Sequence, residues 1–404
     1  MVDPDTHRFV AFISRRGEMA HYAHLRPDAD FTFASFSDLG SDVVCVDPGR
    51  IDVAIRVFAD MHRIRPFSAV LNRKEKCVVP AAVLARALGL PPITTEPELA
   101  RDKFAMRRAL NCGAEFPRTV LIRGPRDVDR VETDMFPCVV KPRYGFNSRS
   151  ALLVQDRQAL EAAYRDQHAH YARLHKQDGT NSDFVCEELI PGSEHTIETL
   201  VRDGTALFHL ISDKLPMEPP YFVEIGDQMP SRLSAADQAI CRAATERAIL
   251  ALGIRNGWTH TEVKLEHDQA VVVECAARMG GGYFENLFHD VYGIDRMGML
   301  IDLHVGGDPI PAPAARLHAA ARRIVVYGPA RLRTLEDAES LFAADRVTLV
   351  WPATAAMIDR ELAGPPFDFN NTLCEFIARG STGEEAAALA DRLVASAVVR
   401  TSEP

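Results

Sequence analysis

The chain has 404 residues, of which 47% are hydrophobic and 25% charged, an ordinary composition for a globular protein of about two to four domains. Its formal net charge of −10 argues against nucleic acid as a main partner, and its eight cysteines are scattered without a Cys-x-x-Cys pair. The first apolar run, Phe9–Ile13, is too short for a signal peptide, and no apolar stretch approaches membrane-spanning length, so we expect a cytoplasmic protein with reduced cysteines and no membrane contact.

The first 95 residues alternate between short apolar runs and helical patterns. The predicted strands are Phe9–Ile13, Val43–Val46 and Phe67–Leu71, and the predicted helices are Ile51–Ile64 and Val78–Leu88. This alternation predicts a small parallel α/β domain that ends near residue 95, where Gly89 and Pro91-Pro92 interrupt the pattern. No Gly-x-Gly-x-x-Gly motif follows the first strand, so a dinucleotide site is not expected there.

A lysine at the end of a strand marks the next region. Glu98–Leu110 is a predicted helix that carries Lys103, and the predicted strand Phe136–Pro142 ends with Lys141. The polar turn Tyr144–Ser150 follows, and its backbone N–H groups together with the lysine could fold over a triphosphate. The turn contains a single glycine, so on its own it is better explained as a surface hairpin.

The middle of the chain contains strands around a long irregular segment. The predicted elements are helix Gln158–Lys176, strands Phe184–Ile190, Glu194–Val201 and Ala206–Ile211, and helix Ser234–Leu252. Asp203-Gly204 predicts a hairpin turn between the second and third of these strands. Leu215–Pro230 is rich in Pro and Met, has no period, and is predicted to be a loop over a site or a simple connector.

Residues 261–282 combine two strand patterns with paired acidic residues. Glu262–Glu266 alternates polar and apolar residues, and an apolar run follows the polar turn at 267–269. A turn with an odd number of residues would place Glu262 opposite Glu274, with Cβ atoms about 5 Å apart, a spacing that destabilises like charges. A Mg²⁺ ion between the carboxylates would explain the pair, and Arg278 with the three glycines after it could bind an anion beside the metal. On this stretch alone, an ordinary hairpin with one exposed and one salt-bridged glutamate is the slightly better explanation.

The remainder of the chain is predicted to be helices followed by a small α/β cap. The predicted helices are Glu285–Tyr292, Asp295–His304 and Gly383–Ser396, and the predicted strands are Ala320–Tyr327, Arg346–Trp351 and Thr372–Ala378. Pro309–Pro313 is a predicted linker, and no internal repeat or carrier domain for biotin is visible.

The order of these motifs resembles the ATP-grasp superfamily, and within it the carboxylate–amine ligases of the L-amino acid ligase type. The motifs are Lys103, Lys141, Glu187-Glu188-Leu189-Ile190 before Pro-Gly, Glu262, Glu274 and Arg278. The resemblance implies an α/β (α+β) chain with an ATP-grasp fold at 96–310, including a lid subdomain at about 135–185. It also implies an N-terminal parallel α/β pre-ATP-grasp domain at 1–95 and a small C-terminal α/β cap at 311–404.

The resemblance also implies roles for individual residues. ATP would be bound by Lys103, Lys141, Ser148 of the phosphate loop, the adenine-binding residues Glu187, Glu188, Leu189 and Ile190, and the ribose-binding Glu194. Mg²⁺ would be bound by Glu262 and Glu274, while Arg278 and Lys141 would act on the reacting groups. Two departures are visible: Ala276 stands where many relatives have a metal-binding Asn, and the phosphate loop lacks its usual second glycine.

The implied reaction is ATP-dependent amide formation through an acyl phosphate, with small-molecule substrates that include an amino acid. His260, Glu224 and Gly281 are candidates for substrate contact, although His260 is more simply a structural histidine and Glu224 a solvated loop carboxylate. The alternatives are another ATP-grasp enzyme, such as a purine-pathway ligase or a carboxylase subunit, and a nucleotide-binding module without catalysis. Family members are often dimers, but no stripe in the sequence indicates an interface.

Overall fold

The structure is a computed structural model. It describes residues 6–111, 116–145, 150–174, 183–217, 219–306, 310–325, 330–336, 346–351, 361–362, 372–396 and 398–402. Ser148 and residues 175–182 of the predicted lid lie outside these ranges.

The N-terminal region forms a parallel four-stranded sheet in the order β3-β2-β1-β4. Its strands are β1 (Arg8–Phe12), β2 (Asp30–Ser35), β3 (Val43–Cys45) and β4 (Ala69–Leu71), and its helices are α1 (Gly17–Leu25), α2 (Ile51–Ile64) and α3 (Val78–Ala87). Sequence patterns did not predict α1 and β2, because the apolar residues of α1 do not segregate onto one face.

The second region contains helix α4 (Lys103–Asn111) and a smaller antiparallel sheet in the order β5-β8-β6-β7. Its elements are β5 (Thr119–Ile122), β6 (Cys138–Pro142), β7 (Leu152–Val154), α5 (Arg157–Leu174) and β8 (Phe184–Glu188). Helix α4 begins at Lys103 and not at Glu98 as predicted. The Asp102 carboxylate accepts hydrogen bonds from the N–H groups of Phe104 at 3.0 Å and Ala105 at 3.3 Å, which caps the helix.

An eight-stranded sheet forms the centre of the molecule, in the order β13-β12-β9-β10-β11-β14-β18-β16. Its strands are β9 (Ser193–Arg202), β10 (Thr205–Lys214), β11 (Gly226–Met229), β12 (Gly257–Glu266), β13 (Gln269–Ala276), β14 (His318–Val325), β16 (Val347–Trp351) and β18 (Thr372–Gly380). A separate sheet contains β15 (Ala330–Glu336), β17 (Glu361–Leu362) and β19 (Val398–Ser402). The predicted strands of the C-terminal region thus continue the central sheet, while the domain boundaries themselves stay predictions.

The segment predicted as one long loop, Leu215–Pro230, contains strand β11. This strand pairs with β10 on one side and β14 on the other, so it connects the two halves of the central sheet. A Cβ atom on Gly226 would lie 2.3 Å from the Ala321 carbonyl oxygen, so the strand begins at a position with room only for glycine. Its four residues, Gly-Asp-Gln-Met, lack the β-branched pattern that predicts strands.

The β12–β13 hairpin sets the register of the two glutamates that the sequence singled out. Its turn has two residues, His267 and Asp268, and not an odd number. One extra residue in β13, inserted between the partners of Val263 and Glu262, then shifts the pairing and brings Glu262 opposite Glu274. The expected pairing therefore occurs, but a β-bulge produces it and not the turn.

Three further helices position the sheet and the residues that follow it. They are α6 (Ala235–Ala251), α7 (Phe284–Tyr292) and α8 (Arg296–Val305). A fourth helix, α9 (Gly383–Ser396), packs on β14 and β18. The Ser234 hydroxyl caps α6 by accepting a hydrogen bond from the Asp237 N–H at 3.1 Å. Within the described ranges, no helix combines the length and apolar character needed to cross a membrane.

One apolar core joins the N-terminal sheet to the elements after β13. Phe9 and Tyr22 from the N-terminal region share this core with Tyr283, Phe288 and Ile301 of α7, α8 and the segment before them. All five side chains are at most about 2% exposed. The N-terminal sheet is therefore packed beside the glycine-rich segment that follows Arg278.

Candidate active site

The predicted site residues line a single cavity of about 720 Å³ between the N-terminal sheet, the small β5–β8 sheet and the central sheet. The cavity is lined by every predicted site residue that the structure describes: Lys103, Lys141, Glu187, Glu188, Leu189, Ile190, Glu194, Glu224, His260, Glu262, Glu274, Arg278 and Gly281. These residues are distributed over nearly 180 positions of sequence, so the fold brings together what the motif order listed separately.

Lys214 is a buried cation among three glutamates at one side of the cavity. Its ammonium donates to Glu194 and Glu262, each at 2.8 Å, and lies 4.0 Å from Glu224. Its side chain is 3% exposed. Burial alone would lower the pKa of Lys214, but the three carboxylates outweigh it and hold that pKa well above the usual value. We call these four residues the acidic cluster.

Glu274 faces the same cavity from β13 and is paired with a different lysine. The Lys103 ammonium donates to the Glu274 carboxylate at 2.6 Å and to the Gly145 carbonyl oxygen at 3.2 Å. Lys103 thus connects the start of α4 with the metal-binding candidate and with Gly145 near the start of the predicted phosphate loop. The two glutamates of the hairpin are each balanced by one lysine from another element.

Arg278 is held by a residue of the N-terminal region. Its Nε donates to the Glu75 carboxylate, and its Nη1 donates to the Met279 carbonyl oxygen at 2.9 Å. Glu75 also accepts a hydrogen bond from Arg101 at 2.6 Å. Burial alone would raise the pKa of Glu75, but the charges of Arg278 and Arg101 outweigh it and lower that pKa to about 2. The guanidinium is therefore fixed at the cavity wall by an ionised carboxylate.

His260 lies between two carboxylates and not at a free position. Its Nδ1 is 2.5 Å from Glu198 and its Nε2 is 3.6 Å from Glu262, and the buried Glu198 also accepts from Arg296 at 2.8 Å. Burial lowers the pKa of His260, but the two carboxylates outweigh it and raise that pKa to about 9. His260 is thus a charged donor and a poor base for an incoming amine. The Gly280 N–H donates to Glu198 at 2.9 Å, so this amide is unavailable to an oxyanion.

The predicted adenine-binding carboxylates hold basic side chains. Glu187 is 3% exposed and accepts hydrogen bonds from Lys141 at 2.7 Å and Arg107 at 2.5 Å. Burial alone would raise the pKa of Glu187, but these two cations lower it to about 2. Glu188 accepts from the Arg118 side chain at 2.6 Å. Glu187 therefore positions Lys141 toward the cavity.

Leu189 and Ile190 follow β8 directly and line the cavity beside Val139 and Phe222. These four side chains give that end of the cavity an apolar surface, which suits a flat aromatic ring. Adenine contacts would then come from apolar packing and backbone groups more than from the Glu187 carboxylate.

Glu224 is not a solvated loop carboxylate. Arg323 of β14 donates to Glu224 at 2.5 Å and to Glu375 of β18 at 2.7 Å, and its guanidinium carbon lies 4.7 Å from the centre of the Tyr283 ring. Burial alone would raise the pKa of Glu224, but Arg323 and Lys214 lower it to about 2. Glu224 therefore faces the cavity as a fixed negative charge.

The sequence patterns missed Lys214, Arg323, Glu198 and Glu75. Lys214 was missed because the polar Ser212 and Asp213 suggested that the strand ended at Ile211. The strand continues because the Ser212 hydroxyl donates to the buried Asp227 at 2.9 Å, which satisfies both groups inside the sheet. The Glu75–Arg278 contact joins positions 203 residues apart, and no local pattern predicts it.

The carboxylates that line the cavity are the candidate ligands for a metal ion. In the described part of the chain, no three His, Cys, Asp or Glu side chains stand close enough to hold an ion alone. Glu262 and Glu274 lie opposite each other in register and line the same cavity. Two carboxylates fit Mg²⁺, which usually takes its remaining ligands from water and phosphate. Ala276, in place of the frequent Asn, offers no side-chain donor.

A family profile described as an ATP-grasp domain matches residues 134–286. Among curated relatives, the chain is 29% identical over 279 residues to carnosine synthase 1 of Gallus gallus, covering 63% of this chain and 29% of that protein. It is 26% identical over 267 residues to the alanine–anticapsin ligase of Bacillus subtilis, covering 62% of this chain and 56% of that protein. The chain thus spans less than two thirds of either relative.

The crystal structure of an L-amino acid ligase from Bacillus licheniformis superposes with a TM-score of 0.80 at 22% identity, over 99% of this chain and all of that one. A phosphoribosylglycinamide synthetase from Anaerococcus prevotii superposes with a TM-score of 0.65 at 14% identity, over 98% of this chain and all of that one. Both likenesses concern the fold. The profile match at residues 134–286 and the shared fold show an ATP-grasp domain within a chain of ATP-grasp-type architecture, as the motif order implied.

Proposed function

We propose that the chain is an ATP- and Mg²⁺-dependent carboxylate–amine ligase that forms an amide bond, with an amino acid as one substrate. The observation that carries this proposal is the opposition of Glu262 and Glu274 across the hairpin, in one cavity with Arg278 and two lysines. A fold alone does not specify a reaction, but this set of residues matches the demands of a phosphoryl transfer followed by an acyl transfer.

In the first step, a carboxylate oxygen of one substrate attacks the γ-phosphorus of ATP, and ADP leaves. The product is an acyl phosphate, whose phosphate is a far better leaving group than hydroxide. Lys103 and Lys141 lie where they can bind phosphate oxygens, each oriented by a glutamate. The protein's task here is to hold reactants in line and to offset charge.

In the second step, an amine attacks the acyl carbon, phosphate leaves, and the nitrogen loses a proton to solvent. The tetrahedral intermediate carries an oxyanion that needs fixed donors. Arg278 supplies them, because Glu75 fixes its guanidinium at the cavity wall. The Gly281 position has open space around it, so its backbone can approach a ligand closely.

The divalent ion would be held by Glu262 and Glu274. When bound, Mg²⁺ would supply positive charge that offsets the charge of the ATP phosphates. Against the effect of burial, Lys214 holds the pKa of the Glu262 carboxyl well below its usual range, and Lys103 donates to Glu274 at 2.6 Å, so both side chains already have fixed positions in the cavity.

Several observations favour this proposal over its alternatives. The curated relatives named above are called synthase and ligase, and no name among them indicates a carboxylase. A nucleotide-binding module without catalysis would not need Arg278 fixed by a residue from a separate sheet. The seven cysteines in the described ranges are all free thiols, which supports a reducing, cytoplasmic location. Domain boundaries near 95 and 310 and a homodimer remain part of the proposal.

The proposal is tested by measuring ATP-dependent phosphate release with all pairs of the common amino acids, with mass detection of the products. We expect phosphate release that requires Mg²⁺ and both substrates, and a product lighter by one water than the sum of its substrates. Phosphate release without a coupled product, or no release with any pair, would contradict the proposal.

A further inference from the structure

The wall of the cavity formed by the N-terminal region carries an excess of positive charge. Arg15 follows β1, and Arg73 and Lys74 follow β4; all three line the cavity. Glu18 is the carboxylate among them, with one oxygen 3.3 Å from Lys74 and 3.8 Å from Arg15. Arg73 forms no ion pair with any residue in the described ranges. We call these four residues the basic cluster; three cations against one carboxylate leave two positive charges in excess.

Unsatisfied hydrogen-bonding groups lie beside the basic cluster. The Tyr22 hydroxyl, the Asn72 side-chain nitrogen and the second oxygen of Glu18 are buried and have no hydrogen-bond partner among the residues described. Tyr22 is fully buried and Asn72 is 4% exposed. Burial raises the pKa of Tyr22, and the charge of Arg73 opposes this shift. Buried polar atoms without a protein partner need a water or a ligand group to complete their hydrogen bonds.

The basic cluster is next to the residue that fixes Arg278. Lys74 is followed directly by Glu75, and consecutive Cα atoms are about 3.8 Å apart. Arg73, Lys74 and Glu75 therefore form one segment, which contacts Arg278 at its end and lines the cavity before it. An anion on the basic cluster would thus lie near the acyl carbon and away from the adenine-binding end at Leu189 and Ile190.

We propose that the basic cluster is the subsite for the amine substrate, and that this substrate is an amino acid with two carboxylates, such as aspartate or glutamate. The inference rests on the proposed ligase function. The acid that becomes phosphorylated must place its carboxylate near Glu262, Glu274 and Arg278. Its ammonium is attracted to Glu224, which lines the cavity as a fixed negative charge, and this leaves the basic cluster for the second substrate.

The charge of the basic cluster selects the class of amine. One α-carboxylate would neutralise one of the two excess charges, and an acidic side chain would neutralise the other. A cation without a carboxylate partner attracts such an anion more strongly inside a cavity than in bulk water. The predicted amine therefore carries one anionic group more than an ordinary amino acid.

The test compares isosteric pairs of amine substrates, aspartate against asparagine and glutamate against glutamine, with each of the common amino acids as the acid. Phosphate release gives kcat/KM for each pair, and tandem mass spectrometry gives the order of residues in the product. We expect the acidic amine to be favoured at least about tenfold over its amide, because charge-assisted bonds to Arg73 and Lys74 are lost with the amide.

Arg73→Met and Lys74→Met should each raise KM for the acidic amine by about tenfold to hundredfold and raise KM for the amide several-fold less, because the amide has only its α-carboxylate to lose contact with the basic cluster. Arg63→Met is the matched control, because Arg63 lies on the exposed side of α2 and pairs only with Asp60 at 2.7 Å among described residues. Thermal unfolding checks that each variant is folded.

Three outcomes would overturn the inference. The amides could be used as well as the acids; the acidic preference could appear in the phosphorylated position of the product; or Arg73→Met and Lys74→Met could slow all amines equally. Any of these leaves the proposed ligase function intact. Absence of turnover with every pair would instead overturn that function, and this inference with it.

Discussion

The acidic and basic clusters are opposite in charge and in construction. In the acidic cluster one lysine lies among three glutamates, and the lysine side chain is 3% exposed. In the basic cluster one glutamate lies among three cations, and Arg15 is 84% exposed. Three members of the first, Glu194, Lys214 and Glu262, lie on neighbouring strands of one sheet, whereas the cations of the second lie in segments that follow parallel strands. Rigid strands hold the groups that the chemistry requires, and variable loops hold the groups that choose a substrate.

The largest effect should follow removal of the protein side chains that act on every substrate. We expect Glu274→Ala and Arg278→Ala each to lower turnover by at least about 10³-fold, because metal binding or oxyanion stabilisation is lost. Phosphate release under saturating ATP measures this effect, and circular dichroism checks the fold. Arg63→Ala is the control. Near-normal turnover in either variant would refute the role assigned to that residue.

The next largest effect should come from removing the cation of the acidic cluster. Lys214→Met leaves Glu194, Glu224 and Glu262 with less compensating charge, which should lower the free energy of unfolding by about 3–5 kcal/mol. Turnover should fall about hundredfold, because Glu262 loses its fixed position. Urea denaturation and phosphate release measure the two effects.

Lys264→Met is the control for this change, since Lys264 lies on β12 and lines the same cavity. It should alter the free energy of unfolding by less than about 0.5 kcal/mol. Equal stability of the two variants would show that Lys214 does not compensate the three glutamates.

A smaller effect should appear as a pH dependence beside the acidic cluster. Burial, with a further contribution from Glu224, raises the pKa of Asp227 to about 7. Because this pKa exceeds that of an unfolded aspartate, the folded state binds the proton more tightly. Its contribution to stability is complete below about pH 4 and is lost as pH rises through about 7, by up to about 1.4 kcal/mol per pH unit.

Asp227→Asn cannot lose a proton at this position, so its unfolding free energy should fall less than that of the parent chain between about pH 5 and pH 8. Ser212 and Tyr283 donate to different oxygens of Asp227, so in the variant one hydroxyl donates to the amide oxygen and the other accepts a hydrogen bond from the amide nitrogen. Urea denaturation at each pH measures the difference, and parallel curves for the two proteins would contradict the expectation.

The smallest effect should follow a change at the exposed edge of the basic cluster. Arg15 lies 3.8 Å from Glu18 but is largely exposed, and such pairs contribute only about 0–1 kcal/mol. Arg15→Met should therefore raise KM for an acidic amine less than Arg73→Met does, and leave thermal unfolding unchanged. A larger effect from Arg15 than from Arg73 would mean that the anion binds at the rim of the cavity.

The contrast between strand residues and loop residues also explains which parts of the site could be predicted from the sequence. Glu262, Glu274 and Arg278 lie within 17 residues of one another, so alternation and a short turn were sufficient to suggest their pairing. Even there the turn length was wrong, and the β-bulge that corrects it leaves no pattern in the sequence. The Lys214 contacts depend on the pairing of β9, β10 and β12, which is a property of the whole sheet.

Loop residues were harder to predict, because their partners come from distant parts of the chain. Arg73, Lys74 and Glu75 stand in a short charged run that has no period, and nothing local indicates that it meets Arg278. Conversely, the predicted solvent exposure of Glu224 failed because Arg323, nearly 100 residues later, covers it.

The position of Glu75 has a consequence for protein engineering. Because Glu75 both ends the segment that carries Arg73 and Lys74 and orients Arg278, grafting this segment from a relative would transfer substrate preference and disturb the reaction centre in a single exchange. A chimaera that changes substrate selectivity without lowering turnover must therefore retain Glu75 while Arg73 and Lys74 are replaced.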